Sequence, residues 1–228
     1  MSQHQKRINA PVTWPIKRKE HMFTTRLNPG PKKKEEAVSL NFFLREMAHV
    51  TRTTREAKKL LQTGAVLVNN IVRKDHHFPV GLFDIILFKP TKECYTIIFS
   101  SAGKLEGKKL KDIVLTRFAK VIGKTVLKGK KTQLNLSDGT NLLVEKDSGN
   151  LGDTAVFEEK KIIKVIRCEK GANVYLTDGK HKGKNGIIEE VIFMNTMQEH
   201  RIVVKTKNEK FETLKRYAFV VENPIGEQ

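Results

Sequence analysis

A change of hydrophobic period near residue 89 constrains this chain more than any other feature. Downstream of it the apolar residues come only as short runs, Tyr95–Phe99, Leu134–Leu136, Leu142–Val144 and Lys161–Ile166, divided by turn residues such as Ser137-Asp138-Gly139-Thr140. That is the spacing of a small β-barrel or sandwich. Upstream, Leu40, Phe43, Leu44, Met47 and Ala48 recur at i, i+3, i+4, i+7 and i+8, the apolar stripe of a short helix with Ser39 as its N-cap. With 228 residues the chain can bury a core without disulfide or metal staples.

A second helix is expected from Thr53-Thr54-Arg55-Glu56, which has the form of a capping box, and it ends at Gly64. Its apolar side is Ala57, Leu60 and Leu61. Arg55, Lys58 and Lys59, at i, i+3 and i+4, stand together on another side. Two β-like runs follow, Ala65 to Val68 and Ile71 to Arg73, and Asn69-Asn70 between them suits the positive φ angles of a two-residue hairpin turn. Phe78-Pro79-Val80-Gly81 then leads into a mainly apolar strand, Leu82 to Phe88.

The partner class is read from charge. Lys and Arg number 43 against 25 Asp and Glu, a net +18, and such an excess calls for an acidic partner, nucleic acid first. Charge is densest at the N-terminus, where residues 1–36 carry nine basic and three acidic side chains. Pro11, Pro15, Pro29 and Pro31 interrupt that segment and no apolar period runs through it, so it reads as an extended arm without a core of its own. Trp14, the only tryptophan, sits among the cations. Its indole either stacks on a nucleobase or pins the arm to the protein's own surface. Near the other end, Gly179, Gly183 and Gly186 shape a tight loop between Val174–Leu176 and Ile187–Ile188 that carries Lys180, His181, Lys182 and Lys184 toward phosphate.

Other chemistries find little support. Cys94 and Cys168 stand alone without zinc-ligand spacing, and His76-His77 lacks a carboxylate or Cys cluster, so no metal or cofactor is expected. There is no Gly-rich nucleotide loop, G-x-S-x-G or H-E-x-x-H motif. Met1 to Ala10 has no apolar signal-like region and no apolar run approaches the roughly 18 residues of a membrane span, so a soluble, cytoplasmic protein with no membrane partner and no small-molecule substrate is expected.

Several runs resemble one family in its order. Asn9-Ala10-Pro11 to Trp14-Pro15, Phe23 to Pro31, Thr54-Arg55-Glu56-Ala57-Lys58, and Val72-Arg73-Lys74-Asp75 with Phe78 to Asp84 are similar to the small-subunit ribosomal protein four-e of archaea and eukaryotes. Asn70 departs from the family, many members of which have Gly in that turn. The resemblance implies an α+β chain in four parts: a basic extension over 1–38, an S-four-type RNA-binding module over 39–88, a central β domain over 89–165, and a small barrel with a KOW motif over 166–228. It also implies a non-catalytic constituent of the small ribosomal subunit that binds ribosomal RNA and neighbouring ribosomal proteins. The candidate RNA-binding residues are Lys6, Arg7, Trp14, Lys17, Arg18, Lys19, Arg26, Lys32, Lys33 and Lys34 in the arm, then Arg45, Arg52, Thr53, Arg55, Lys58, Lys59, Arg73 and Lys74 in the module, then Lys180, His181, Lys182 and Lys184 in the loop. The alternative is a KOW-containing transcription elongation or antitermination factor, or an RNA-modifying accessory protein.

Overall fold

Few helices and many strands make up this fold, as the period change requires. The computed structural model describes residues 5–111, 116–127, 131–144, 149–158, 161–194, 199–206 and 209–222. The chain falls into two compact units, one of Met1–Ser100 with Lys104–Arg117 and one of Ser101–Gly103 with Phe118–Gln228.

The first unit opens with a two-stranded ribbon, β1 (Gln5–Lys6) against β2 (Phe23–Thr24), and continues through β3 (Ala37–Ser39). Ser39 then caps the first helix, its hydroxyl accepting from the Phe42 amide at 3.2 Å. Only Leu40–Phe42, α1, is α-helical; Phe43–Met47 widens to a π turn, closed by the Ala48 amide on the Phe43 carbonyl at 2.9 Å. His49 follows in the left-handed region at φ 52° and reverses the chain. Of the expected apolar stripe Leu40, Phe43 and Leu44 are buried core, while Met47 and Ala48, in the π turn and just after it, are half-buried.

Helix α2, Thr54–Gln62, has the expected capping box: the Thr53 hydroxyl accepts from the Glu56 amide at 3.2 Å, and the Glu56 carboxylate accepts from the Thr53 amide at 3.3 Å. Ala57 and Leu61 are buried beneath it. The hairpin of β4 (Val66–Val68) and β5 (Ile71–Val72) turns on Asn69 and Asn70, both with positive φ (52° and 66°), the requirement of a type I′ turn. Asn70 therefore does the work of the family's glycine, because Asn tolerates this region.

A single sheet in the order β5-β4-β7-β8-β9 completes the unit, while β6 (Pro79–Gly81) pairs with β3. Its strands β7 (Ile85–Phe88), β8 (Glu93–Phe99) and β9 (Leu105–Leu110) lie antiparallel to one another. The boundary expected after Phe88 runs through this sheet. Lys89 to Lys92 is a hairpin turn, with Lys92 at φ 54°, rather than a linker, so the strands of residues 93–110 build onto the module and not onto the central β domain.

The arm also departs from expectation: it has a buried anchor. Trp14 is 2% exposed, its ring lies 5.5 Å from that of Phe42, and its indole N–H donates to the Lys34 carbonyl at 3.1 Å. The Leu105 amide bonds the Thr13 carbonyl at 2.7 Å. The arm is thus packed against the core that α1 and the sheet provide. Local sequence offered no apolar period because one large side chain, not a stripe, makes the contact.

In the second unit two antiparallel five-stranded sheets occur. The first runs β12-β11-β10-β13-β14, from β10 (Arg117–Val126), β11 (Thr132–Leu136), β12 (Asn141–Val144), β13 (Thr154–Glu158) and β14 (Lys161–Ile166), over a core of Ala119, Val121, Leu134, Leu136, Leu142, Ala155 and Phe157. The second runs β18-β17-β16-β15-β19, from β15 (Asn173–Leu176), β16 (Asn185–Ile192), β17 (Arg201–Lys205), β18 (Lys210–Leu214) and β19 (Ala218–Val221), over Cys168, Val174, Ile188, Ile202, Val204, Ala218 and Val220. Both cysteines are buried, and burial raises the Cys168 thiol above its ordinary value.

Candidate nucleic-acid interface

Helix α2 presents the clearest cationic face. Its apolar side is turned to the core, so Arg55, Lys58 and Lys59 are left exposed on one side of the helix, with Arg52 and Thr53 exposed just before it. The capping box fixes where that face begins. Glu56 is held below the ordinary carboxyl value by the backbone N–H of Arg52 first and that of Thr53 second. Arg45 braces the same end, donating to the Arg52 carbonyl at 3.2 Å and to the Thr54 hydroxyl at 3.4 Å.

The segment after the hairpin borders this face. Lys74 is exposed, and Lys58 acts on His76, which burial first, then His77 and then Lys58 hold below the ordinary imidazole value. His76 is consequently neutral at pH 7. The His76 and His77 rings are 4.0 Å apart, and His77 Nδ1 is 2.7 Å from the Arg26 carbonyl oxygen, which ties the arm to this edge. Arg73 is turned over the Phe78 ring at 4.3 Å.

Among the arm's cations several face the protein. Arg7 is buried; its guanidinium meets the Glu46 carboxylate at 2.9 Å, the Lys17 carbonyl at 3.1 Å and Glu20 at 3.6 Å. Arg18 donates to the carbonyls of Ile8 and Ala10 at 3.0 and 3.1 Å. Lys32 reaches the buried Asp84 carboxylate at 2.5 Å and the Leu82 carbonyl at 3.2 Å. Lys34 meets the Gln5 side chain at 2.8 Å. Of the expected contacts, Arg7 and Trp14 are withdrawn from any partner's reach by burial, and Lys32 is spent on an internal ion pair. Lys6, Lys17, Lys19 and Lys33 remain exposed.

The loop of residues 177–184 has the expected turn geometry at two of its three glycines, Gly186 lying instead within β16. Gly179 and Gly183 have φ of 84° and 82°, the Gly183 amide bonds the Leu176 carbonyl at 2.8 Å, and Lys180 is exposed at the tip. Lys182 is half-buried. His181 does not point outward as expected: its ring is stacked on Phe211 at 3.7 Å, because the turn lays it across β18. Lys184 leans toward Glu209 at 3.5 Å.

Three polar residues outside the expected set organise the surface. Asp84 accepts from the Gly81 amide at 2.8 Å and the Asn69 side chain at 2.7 Å besides Lys32. Asp153 accepts from the amides of Cys168 at 2.9 Å and Asn150 at 2.8 Å. Lys120, on β10, donates to the carbonyls of Lys215, Arg216 and Ala218 at 2.9, 3.0 and 2.6 Å, joining the two sheets of its unit. Burial brings that ammonium down to about 8. No local pattern marks Lys120, which reads as an ordinary outward strand lysine.

The chain matches known proteins along most of its length. The RS4NT (NUC023) domain model matches residues 1–35 and that of the ribosomal family S4e matches residues 91–162. The small ribosomal subunit protein eS4 of Methanosphaera stadtmanae is 37% identical over 96% of this chain and 91% of its own length. That of Archaeoglobus fulgidus is 35% identical over 96% and 92%. The crystal structure of the 30S ribosomal protein S4e from Thermoplasma acidophilum shares the fold, with a TM-score of 0.70 over 82% of this chain and 95% of that one at 24% identity. Such identity across nearly the whole length leaves the transcription-factor alternative without support, and this chain belongs to the S4e family of small-subunit ribosomal proteins.

Proposed function

We propose that the protein is a structural constituent of the small ribosomal subunit and binds ribosomal RNA with the outward face of α2, supported by the exposed arm lysines and the loop bearing Lys180, the KOW motif of the resemblance. The carrying observation is that Arg55, Lys58 and Lys59 stand exposed together on a helix whose start is fixed by a complete capping box. Helix side chains there are held in register, so their cations meet successive phosphates rather than random ones. Lys74 extends the same charge, and His76, being neutral, adds none. Ribosomal association, with neighbouring ribosomal proteins and RNA as partners, follows from the role. The chemistry asked of these residues is neutralisation and positioning, which needs no nucleophile, general base or cofactor.

Replacing Arg55, Lys58 and Lys59 together by Ala tests this. Binding to small-subunit ribosomal RNA weakens and the slope of log affinity against log salt falls by about three. Thermal stability stays near that of the parent, since all three side chains are exposed. An unchanged salt slope removes this face from the interface.

A further inference from the structure

We propose that the open edge of β16 beyond Ile188 is a docking groove for a neighbouring small-subunit protein, which lays an extended Lys/Arg-rich segment along it as an added strand. This rests on the ribosomal reading above and deepens it. β15 accompanies β16 only through the pair Asn173↔Ile187. One step further, the Ile188 amide donates to the Ala172 carbonyl at 3.0 Å and its carbonyl accepts from the Gly171 amide at 2.8 Å. There a turn, closed by the Ala172 amide on the Glu169 carbonyl at 3.2 Å, carries residues 168–170 away from the strand. β16 itself runs on to Ile192, paired with β17 along its other edge. Among the described residues no strand lies along residues 189–192 on the side that β15 has left. An edge of this kind holds backbone N–H and C=O groups ready for another chain.

The lane so opened is a groove of about 610 Å³ between residues 168–170 and 189–193. Cys168 and Val191 belong to the core packing of this sheet and give the groove an apolar floor. Its wall bears a β-bulge, the register with β17 shifting between Ile188 and Glu190, a device that bends a strand and re-aims its side chains. Charge selects the occupant. In a chain of net +18, this lining sets Glu169, Glu189 and Glu190 against Lys170. Glu189 is paired with Lys210, and Glu169 lies 3.6 Å from Arg167, both largely exposed. Glu190 is exposed and among the described residues has no cationic partner. At the groove's end Phe193 is 67% exposed, with the His200 ring edge-on at 5.4 Å and the Lys215 ammonium 5.8 Å from its centre. Carboxylates repel phosphate, so RNA is a poor occupant, whereas an Arg or Lys side chain can pair its head with Glu190 and lay its stem on an aromatic ring. Proteins gathered on one polyanion carry basic segments, as this chain does over residues 1–36.

The test uses the full-length protein and a peptide of about eight residues alternating Arg and Thr, with an alternating Glu and Thr peptide and a uridine oligonucleotide for comparison. The Arg peptide binds, and hydrogen-exchange protection rises at the amides of residues 189–192. Methylating alternate peptide nitrogens removes the donors a strand needs while leaving the charge, and weakens binding about tenfold or more. Glu190→Lys also weakens it, through repulsion, with urea unfolding unchanged because the side chain is exposed. Undiminished binding of the methylated peptide, parent-like affinity of Glu190→Lys, or equal binding of the Glu peptide overturns the inference. Protection of residues 189–192 by the oligonucleotide gives the edge to RNA and equally overturns it. Failure of the ribosomal reading shows separately, as a parent protein that binds no small-subunit ribosomal RNA; it removes the ribosomal neighbour and this inference with it, whereas failure of the groove alone leaves that RNA affinity intact.

Discussion

In the arm, Arg7 and Lys32 turn inward and the exposed Arg18 folds back on the chain, together donating to carbonyls of Lys17, Ile8, Ala10 and Leu82, whereas on helix α2 Arg55, Lys58 and Lys59 all stand outward. The two regions carry the same kinds of side chain. What differs is the state of the backbone around them. The arm's strands are two residues long, so most of its carbonyls have no ladder partner and stand open to side-chain donors. Long cationic side chains supply them. In α2 the carbonyls are satisfied along the helix axis, and the cations are left for something else. A basic cluster in irregular chain is therefore a weaker sign of an RNA contact than an equal cluster on a helix.

The sharpest test of that contrast is Arg7→Met. It leaves Glu46 and the Lys17 carbonyl without their buried donor and costs about 3–5 kcal/mol of stability in urea unfolding, with the RNA salt slope of the folded protein unchanged. A slope that falls with no loss of stability would make Arg7 an RNA contact and break the comparison. Lys120→Met extends it to the second unit, where the short 3₁₀ turn Lys215–Tyr217 likewise recruits a lysine. Three carbonyls lose their common donor, and unfolding measurements should show a loss of about 2–4 kcal/mol.

A smaller effect is expected where cations sit on a turn. Gly183→Val forces a β-branched residue to φ near 82° and costs about 1–2 kcal/mol, with a shifted loop and weaker RNA binding. Normal binding would make the loop a mere connection. The smallest effect concerns the cap of α2. The folded carboxyl of Glu56 titrates below its ordinary 4.5, so its stabilising contribution is full above that value and disappears as pH falls through the lowered one. Glu56→Gln flattens this acid limb in a circular-dichroism titration; an identical limb would show that the box contributes nothing.

Those features closed within a few residues were legible in the sequence. The Thr53–Glu56 box, the Ser39 cap, the Asn69-Asn70 turn and the Gly183 turn each depend on neighbours at most seven positions apart, where residue type largely decides the geometry. The place of Trp14 is not legible because its partners, Phe42 and the Lys34 carbonyl, are distant in sequence, and Arg7 with Glu46 is hidden for the same reason. The extent of the first sheet is not legible at Lys89-Pro90-Thr91-Lys92, because a change of period beside residues of turn composition marks a domain edge and a hairpin alike. In the candidate interface, the helix cations were readable from spacing, while the inward fate of Arg7, Lys32 and His181 depended on Glu46, Asp84 and Phe211.

The bond from the Leu105 amide to the Thr13 carbonyl sets an order of events during synthesis. The arm leaves the exit tunnel first, yet the strand that receives it is made only after the helices, the hairpin and β8. Lys32 must likewise wait for Asp84. Until β9 is made the nascent arm lacks part of its seat, so its docking is not complete before the strand that ends the first unit's sheet has emerged.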